Sequence, residues 1–140
     1  MTTEAEAKIL VDKTVDYMEN KYAGSWRNVI CVMGDDGDNN DHIGKAELIA
    51  KQVEEEHASM QVNRIYWDAY KREAGASGYS YPAVTADIKQ QMEEGCLVMN
   101  YSGHGNPREL SHELVLKMAD FSSFSSPNLP LWITAACDVN

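Results

Sequence analysis

The run Asn28-Val-Ile-Cys-Val-Met33 is apolar at every position except its first, and Gly34-Asp-Asp-Gly-Asp-Asn-Asn-Asp41 follows it directly. A short apolar run without alternation is typical of a strand that is buried on both faces, as in a parallel sheet. The sequence rich in glycine, aspartate and asparagine predicts a loop at the carboxyl end of that strand. We therefore predict a buried parallel strand that opens into an acidic loop.

Three later segments predict three more strands. They are Val62–Trp67, Cys96–Asn100 and Leu131–Ala136. Apolar residues at helical spacing predict helices before and between the strands. The first helix covers Glu4–Tyr22. The other two have apolar faces made of Ile43, Ala46, Ala50 and Val53, and of Val84, Ile88 and Met92.

Strands that alternate with helices predict a mostly parallel sheet with helices on both faces, which is a three-layer α/β/α fold. We expect the flavodoxin-like strand order 2-1-3-4, in which the first, third and fourth strands are neighbours. We also expect a loop from Asp68 to Tyr81 and a short helix around Glu113–Met118. Because the sequence stops at Asn140, we expect residues 1–140 to be a partial domain, truncated after its fourth strand and excised from a larger multidomain protein.

The composition excludes several classes of function. Lys and Arg number 12 against 22 Asp and Glu, so the net charge is −10. Such a surface repels phosphate backbones, and we expect no nucleic-acid partner. No apolar run has the roughly 20 residues that a membrane span needs, and the polar start shows no secretory signal. None of the three cysteines lies in a CxxC pair, which gives a structural zinc site little support.

Reactive residue types follow three of the predicted strands. Asp35 and Asp36 follow the first strand, His104 follows the third and Cys137 follows the fourth. In open α/β sheets the ligand site lies beyond the carboxyl ends of the strands, so an acid, an imidazole and a thiol are expected at one edge. Such a set suits nucleophilic catalysis, because a histidine next to a cysteine favours the reactive thiolate.

The glycines on either side of His104 have a physical use in such a site. Gly103 and Gly105 allow a close backbone approach, so that a substrate carbonyl can lie against backbone N–H groups. The alternative is that Gly-His-Gly is only a tight turn and that Cys137 is a small buried hydrophobic residue. The joint position of the two motifs at the ends of neighbouring strands favours the catalytic interpretation.

The residues around this pair resemble a known family. The run Asn100-Tyr-Ser-Gly-His-Gly105, with Cys137 at the end of an apolar strand, is similar to the gingipain family of cysteine peptidases. Within that family the sequence is most similar to the PorU-type sortases of the type IX secretion system. The supporting stretches are Gly24–Asn28, Asp35–His42, Val62–Tyr70 and Leu129–Cys137. The resemblance extends over nearly the whole chain from about Lys8.

This resemblance implies a caspase-like fold and named catalytic roles. His104 is implied as the general base and Cys137 as the nucleophile that forms a thioester with a peptide carbonyl. A carboxylate after the first strand supports the histidine; the matching position is Asp36, although the family has a longer Glu there and Asp35 is the alternative. Candidates for the oxyanion hole are backbone N–H groups of Cys137 and of the loop from Gly103 to Gly105.

The sortase resemblance also implies partners and a cellular location. Water resolves the thioester in the peptidases. In the sortases an amine of lipopolysaccharide resolves it after the C-terminal signal of a secreted cargo protein has been removed. The resemblance therefore implies a protein substrate, a lipopolysaccharide acceptor, other subunits of the secretion system, and the cell surface, outer membrane or extracellular space. No cofactor is required, and we expect little turnover from the isolated 140-residue chain.

The acidic loop permits a second interpretation. Asp35, Asp38 and Asp41 are candidate ligands of a structural calcium ion that stiffens the loop. The commoner role of such residues is a solvated turn that leads into a helix N-terminus. A non-enzymatic α/β module that binds a ligand at the same strand ends is the competing functional class, as is a calcium-stabilised domain without turnover.

The remaining histidines and cysteines are expected to have structural roles. His42 is predicted at the surface, and His112 near a helix N-terminus, from which it can reach the active edge. Cys31 and Cys96 lie inside the first and third predicted strands and are expected to be core thiols. A bridge between them is geometrically conceivable if the two strands are neighbours.

Overall fold

A computed structural model of the chain describes residues 3–76, 78–113 and 115–137. Four α-helices and nine strands are assigned within these residues. The helices are α1 (Glu4–Met18), α2 (Gly37–Glu56), α3 (Pro82–Glu94) and α4 (Met118–Phe121). The strands are β1 (Val29–Gly34), β2 (Gln61–Tyr66), β3 (Glu73–Gly75), β4 (Gly78–Ser80), β5 (Val98–Ser102), β6 (Gly105–Asn106), β7 (Glu109–Leu110), β8 (Leu116–Lys117) and β9 (Leu131–Ala135).

The four longest strands form a parallel sheet in the order β2-β1-β5-β9. These strands are the four predicted from the apolar runs, so the predicted order 2-1-3-4 is confirmed. The two central strands, β1 and β5, carry the most deeply buried side chains. Cys31, Val32, Met33, Met99 and Tyr101 are all fully buried. This burial explains why the two runs are apolar without alternation.

Helix α3 shows how local sequence sets the boundaries of an element. Pro82 is the first residue of the helix, where a backbone N–H would have no partner within the helix, so the N–H that proline lacks is not missed. Gly95 follows the last residue and has a φ of 87°. The predicted apolar face of Val84, Ile88 and Met92 is buried in the core. Helix α3 therefore covers the sheet as its periodicity predicts.

The start of α2 is unusual and shapes the edge of the sheet. Asp38, Asn39 and Asn40 all adopt left-handed backbone angles, with φ of 51°, 57° and 64°. Asp and Asn tolerate this region better than other residues with a side chain. The helix then runs close to β1, since a Cβ at Gly34 would lie 2.8 Å from the Cα of Ile43. The loop after β1 is therefore a tight turn that folds back over the sheet edge.

Helix α1 begins with a capping box between Thr3 and Glu6, but none of its residues is buried. It ends at Met18, before the predicted end at Tyr22. The apolar residues that predict the helix are exposed in the structure, as for Val11 and Val15. Among the described residues, no helix is both long enough and apolar enough to cross a membrane.

Two expectations about connecting segments are wrong. Between β5 and β9 the predicted helix around Glu113–Met118 is absent; the small antiparallel sheet β6-β7-β8 lies there and α4 covers only Met118–Phe121. The predicted loop from Asp68 to Tyr81 contains the hairpin of β3 and β4. Strands of two or three residues are too short to show periodicity, which is why the sequence pattern did not reveal them.

Candidate active site

The strand register aligns the ends of three neighbouring strands. Gly34 of β1 is paired with Ser102 of β5, and Ser102 is paired with Ala135 of β9. Hydrogen bonds continue past these pairs, from the N–H of Asp35 to the Ser102 carbonyl at 3.3 Å and from the N–H of Gly103 to the Ala135 carbonyl at 3.2 Å. The chain thus leaves all three strands at the same level.

The candidate catalytic residues follow this level at equal offsets. His104 lies two positions beyond Ser102, and Cys137 lies two positions beyond its register partner Ala135. Neighbouring strands in a sheet are about 4.8 Å apart. The register therefore places the backbone of His104 and the backbone of Cys137 at the same edge of the sheet, just beyond the ends of the adjacent strands β5 and β9.

A buried carboxylate organises this edge. Asp35 is 1% exposed, and its Oδ2 accepts the backbone N–H of His104 at 2.6 Å. Its Oδ1 accepts a hydrogen bond from Nδ1 of His42 at 2.6 Å. The hydroxyl of Tyr101 lies 3.1 Å from Oδ2 of Asp35 and 2.7 Å from the carbonyl oxygen of His104. One side chain at the end of β1 thereby fixes the loop that carries His104.

Tyr101 keeps its proton in this arrangement. Burial, and next the negative charge of Asp35, raise the pKa of Tyr101 far above its usual range. The group therefore serves as a neutral hydroxyl donor below the His104 loop. It was not among the candidate residues from the sequence, because the predicted strand ended at Asn100 and nothing in the sequence showed that the Tyr101 side chain is buried beside Asp35.

The imidazole of His104 is surrounded by other polar rings and by a carboxylate. Its side chain is 30% exposed, and its Nε2 lies 3.6 Å from Oδ2 of Asp38. The ring of His112 stacks on it with a centroid distance of 4.3 Å and an interplanar angle of 10°. The ring of His42 meets it edge-on at 4.9 Å. Three histidines therefore converge on one point of the sheet edge.

His42 was expected at the surface, and this expectation is wrong. Its side chain is only 16% exposed because the left-handed turn of residues 38–40 directs the start of α2 back toward Asp35. His112 does contact the active edge, the possibility that the sequence left open, although no helix begins there. The one feature of the sequence that could have indicated His42 is its position four residues after Asp38, close behind the first strand.

The expected carboxylate partner, Asp36, has a different contact. Its Oδ2 accepts a hydrogen bond from the hydroxyl of Tyr81 at 2.6 Å. In the described part of the chain, no hydrogen bond or ion pair joins Asp36 to His104. The nearest carboxylate to the imidazole is that of Asp38, while Asp35 holds the backbone of His104. The three aspartates Asp35, Asp36 and Asp38 thus have three different surroundings.

The thiol of Cys137 is free and exposed. Within residues 78–113 and 115–137, no hydrogen bond joins it to His104. Of the expected oxyanion-hole residues, Gly103 already donates its N–H to Ala135, and Gly105 lies in β6. A Cβ at Gly103 would lie 2.6 Å from Oδ2 of Asp35, so this position needs glycine.

The expected calcium ligands do not share one location. Asp35 is buried and bonded as described above, whereas Asp41 is exposed and forms an ion pair of 2.5 Å with Lys45. Hydrogen bonding to Lys45 lowers the pKa of Asp41. Asp38 faces the two histidines instead. The loop therefore presents a mixed carboxylate and imidazole cluster beside the sheet edge.

Comparison with known proteins establishes the family. The family model described as peptidase family C25 matches residues 1–140. The chain belongs to peptidase family C25. This is the gingipain family of cysteine peptidases, so the resemblance seen in the sequence is confirmed at the level of the family. No curated protein matches the chain.

A solved structure similar to this C25 chain shows the fold. The crystal structure of the Arg-specific cysteine proteinase gingipain R matches with a TM-score of 0.65 and 18% sequence identity, over 98% of this chain. The shared architecture is the caspase-like α/β fold, as expected. The C25 chain spans 30% of the length of the gingipain R chain.

The other two cysteines of the C25 chain are structural. Cys31 and Cys96 are fully buried and free, as expected for core thiols, and the conceivable bridge between them is not formed. Burial raises the pKa of Cys31 far above its usual range and that of Cys96 to about 12. Both remain protonated and unreactive near neutral pH.

An apolar cavity of about 300 Å³ lies between β9 and the small sheet of the C25 chain. Its lining includes Leu110, Leu116, Trp132 and Thr134. Leu116 is fully buried, so this wall of the cavity belongs to the core.

Proposed function

We propose that this C25 chain carries the nucleophile and the general base of a cysteine peptidase, Cys137 and His104. The observation that carries the proposal is the strand register, which brings the two residues past the ends of adjacent strands at the same offset. The exposed, free thiol of Cys137 supports the role of nucleophile. In structures without substrate, catalytic hydrogen bonds are often long and tighten only in the complex.

The reaction is acyl transfer from a peptide bond. His104 takes the thiol proton, and the Cys137 sulfur attacks the carbonyl carbon to form a tetrahedral intermediate. As the C–N bond breaks, the imidazolium gives the proton to the leaving amine, and a thioester remains on Cys137. A second nucleophile attacks the thioester and gives its proton to His104. The C–S bond then breaks, the imidazolium returns the proton to the Cys137 sulfur, and the acyl product leaves.

The carboxylates have separate roles in this proposal. Asp35 is a positioning residue, because it holds the backbone N–H of His104 at 2.6 Å. Asp38 supplies the negative charge that pairs with the imidazolium, since its Oδ2 lies 3.6 Å from Nε2. Asp36 is a third candidate for the carboxylate that supports His104. To take this role it would have to leave its hydrogen bond to the Tyr81 hydroxyl. The backbone N–H groups of Gly105 and Cys137 are the proposed oxyanion donors, since that of Gly103 is taken by Ala135.

The finer proposal concerns the second nucleophile. The sequence stretches shared with PorU-type sortases support transfer of a cargo protein, cleaved at its C-terminal signal, to an amine of lipopolysaccharide. The same resemblance supports a location at the cell surface or outer membrane and contact with other secretion subunits. In chemical terms the sortase differs from a hydrolase only in the nucleophile that attacks the thioester.

The first experiment measures the reactivity of the thiol, which does not require turnover. The chain is treated with iodoacetamide near neutral pH, and alkylation of Cys137 is followed by mass spectrometry. We expect Cys137 to react selectively, and His104→Ala to slow the reaction about tenfold or more because the thiolate loses its imidazole partner. His57→Ala, at the far end of α2, is the matched control and should react as the wild type does.

Equal rates in wild type and His104→Ala would contradict the proposal and favour a non-enzymatic module with an ordinary surface thiol. The second nucleophile is tested separately. Cys137 is acylated with an activated peptide ester, and the thioester is exposed to glucosamine as an amine probe. A peptide amide as the main product supports the sortase, whereas a free acid supports the hydrolase.

A further inference from the structure

The cluster around His104 contains two imidazole nitrogens that face one carboxylate oxygen. Oδ2 of Asp38 lies 3.6 Å from Nε2 of His104 and 3.9 Å from Nε2 of His42. Asp35, His42 and His104 also offer one ligand atom each within 4.8 Å of one another. Side chains of these types at such separations are the common ligands of zinc.

The distances agree with the size of a metal site. Zinc binds imidazole nitrogen and carboxylate oxygen at about 2.0–2.2 Å, so two ligand atoms of a tetrahedral ion are about 3.4 Å apart. The separations of 3.6 and 3.9 Å from Asp38 exceed this value by only a few tenths of an ångström. The side chain of Asp38, which is 66% exposed, takes up the adjustment of these two distances, and the two imidazoles must in addition bring their Nε2 atoms to the same ion.

The buried partner of His42 prepares that ring for a metal. The Nδ1–H of His42 donates to Asp35 at 2.6 Å, which leaves Nε2 with its lone pair directed away from Asp35. A carboxylate that holds the second ring nitrogen of a ligating histidine is the usual outer shell of zinc sites, because it fixes the tautomer and orients the ring. The backbone of His104 is fixed by the same carboxylate.

We propose that Asp38, His42 and His104 form a binding site for a zinc-type divalent transition-metal ion, with Asp35 as its outer-shell carboxylate. Two nitrogens and one oxygen suit zinc or cobalt, whereas calcium requires six or more oxygen ligands. Three protein ligands leave the fourth tetrahedral position for water, and the partial exposure of the cluster gives the ion a route from solvent.

The site does not depend on the proposed peptidase chemistry, because Cys137 is not one of its ligands. It does bear on that chemistry if the proposed function is right. A metal on Nε2 of His104 occupies the lone pair that accepts the thiol proton. Metal binding and general-base catalysis then exclude each other, which makes the bound ion a reversible inhibitor.

The test is a titration of the chain, without a histidine tag, with Co²⁺ as the probe. Binding is followed by the visible absorption of tetrahedral cobalt, and Zn²⁺ is then added to displace it. Asp38→Asn and His42→Gln each remove one ligand, and we expect each to weaken binding by about tenfold or more. Asp41→Asn and His57→Gln are the matched controls, since both are exposed residues outside the cluster, and they should bind as the wild type does.

Two further arms identify the site and the ion. Cys137→Ala should leave the affinity unchanged and separate this site from any metal bound by the thiol. Calcium at equal concentration should not displace the cobalt. Wild-type affinity in Asp38→Asn, which changes an exposed group and leaves the fold intact, would overturn the proposal. Loss of binding in Cys137→Ala, or displacement by calcium, would overturn it as well.

Discussion

The Nδ1 atom of His42 lies 2.6 Å from Oδ1 of Asp35, and through this contact the start of α2 is bound to the end of β1. The second oxygen of the same carboxylate accepts the backbone N–H of His104, which follows β5. A single buried side chain therefore joins the turn between β1 and α2 to the loop after β5, which is distant in sequence. Its removal has consequences that can be measured.

We expect Asp35→Ala to destabilise the chain by about 2–5 kcal/mol, because it leaves several buried donors without an acceptor. These donors include the N–H of His104 and the Nδ1–H of His42. Urea unfolding followed by circular dichroism measures the change. Asp41→Ala removes an exposed aspartate of the same loop and should shift the unfolding free energy by no more than about 0.5 kcal/mol. Equal shifts in the two variants would show that Asp35 does not organise the edge.

The close approach of Gly37 to His104 provides a second prediction. A Cβ at position 37 would lie 2.7 Å from Cδ2 and Nε2 of His104, so Gly37→Ala must displace the imidazole. We expect large shifts of the His104 ring resonances in ¹H–¹⁵N spectra. Gly44→Ala is the matched control within α2, since a Cβ there meets nothing within 4 Å. It should leave those resonances unchanged and stabilise the helix by about 0.5–1 kcal/mol.

The burial of two thiols predicts a stepwise reaction with Ellman's reagent. In the native chain we expect one cysteine, Cys137, to react promptly, because it alone among the three is exposed. Cys31 and Cys96 should react only after unfolding, since burial raises the pKa of both. Thiol counts in buffer and in guanidinium chloride measure this directly. Prompt reaction of three thiols in buffer would contradict the buried positions of β1 and of the residues before β5.

A cluster of charges on β2 and α2 predicts a dependence of stability on pH. Arg64 donates to Glu47 at 2.8 Å and to both oxygens of Glu54, and these contacts lower the pKa of each glutamate below 4.5. A carboxyl whose pKa is lower in the folded state stabilises the fold above its unfolded pKa, and this stabilisation is lost as the pH falls.

We therefore expect Arg64→Met to lower the melting temperature near neutral pH. The gap between wild type and variant should narrow as the pH falls from the ordinary pKa of glutamate toward the lowered pKa values of Glu47 and Glu54, because the folded wild type then loses these ionised carboxylates. Thermal unfolding across this pH range measures the gap. Lys8→Met, which breaks an exposed pair with Asp12 on α1, is the control and should have little effect at any pH. If the difference in melting temperature stayed constant with pH, the lower stability of Arg64→Met would come from lost packing of the arginine side chain and not from lost ion pairs.

The central sheet could be predicted because its strands alternate with helices, and because β1 and β5 are short apolar runs with deeply buried side chains. Burial does not explain the outer strands, since β2 carries Asn63 and Arg64, and Leu131 and Ile133 of β9 are exposed. The order of the four strands was expected from the flavodoxin-like arrangement. The segment 103–130 carried no such signal. Its strands have two residues each, and their pairing depends on contacts between β7 and both neighbours.

The geometry around the candidate site was predicted in part for a related reason. His104 and Cys137 could be placed beyond the same sheet edge because they follow strands, and the position of strand ends is set by the sheet; their catalytic roles stay a prediction. His42 was missed because its position depends on three consecutive left-handed residues, 38–40, which no periodicity anticipates. The face of α1 was expected to be apolar, and its exposure depends on tertiary contacts that helical spacing does not specify.

The equal offsets of His104 and Cys137 from the Ser102–Ala135 pair have a consequence for how such chains vary. The number of residues between the histidine and the cysteine does not decide whether they follow the same sheet edge, because the register of β5 and β9 decides this whatever the intervening segment contains. Insertions at the tips of the segment 103–130 are therefore compatible with an intact pair. A single residue inserted between Ala135 and Cys137 would instead change the offset of the thiol from the Ser102–Ala135 pair. Relatives are thus better found by the distance of the histidine and of the cysteine from the ends of their own strands than by the number of residues between the two.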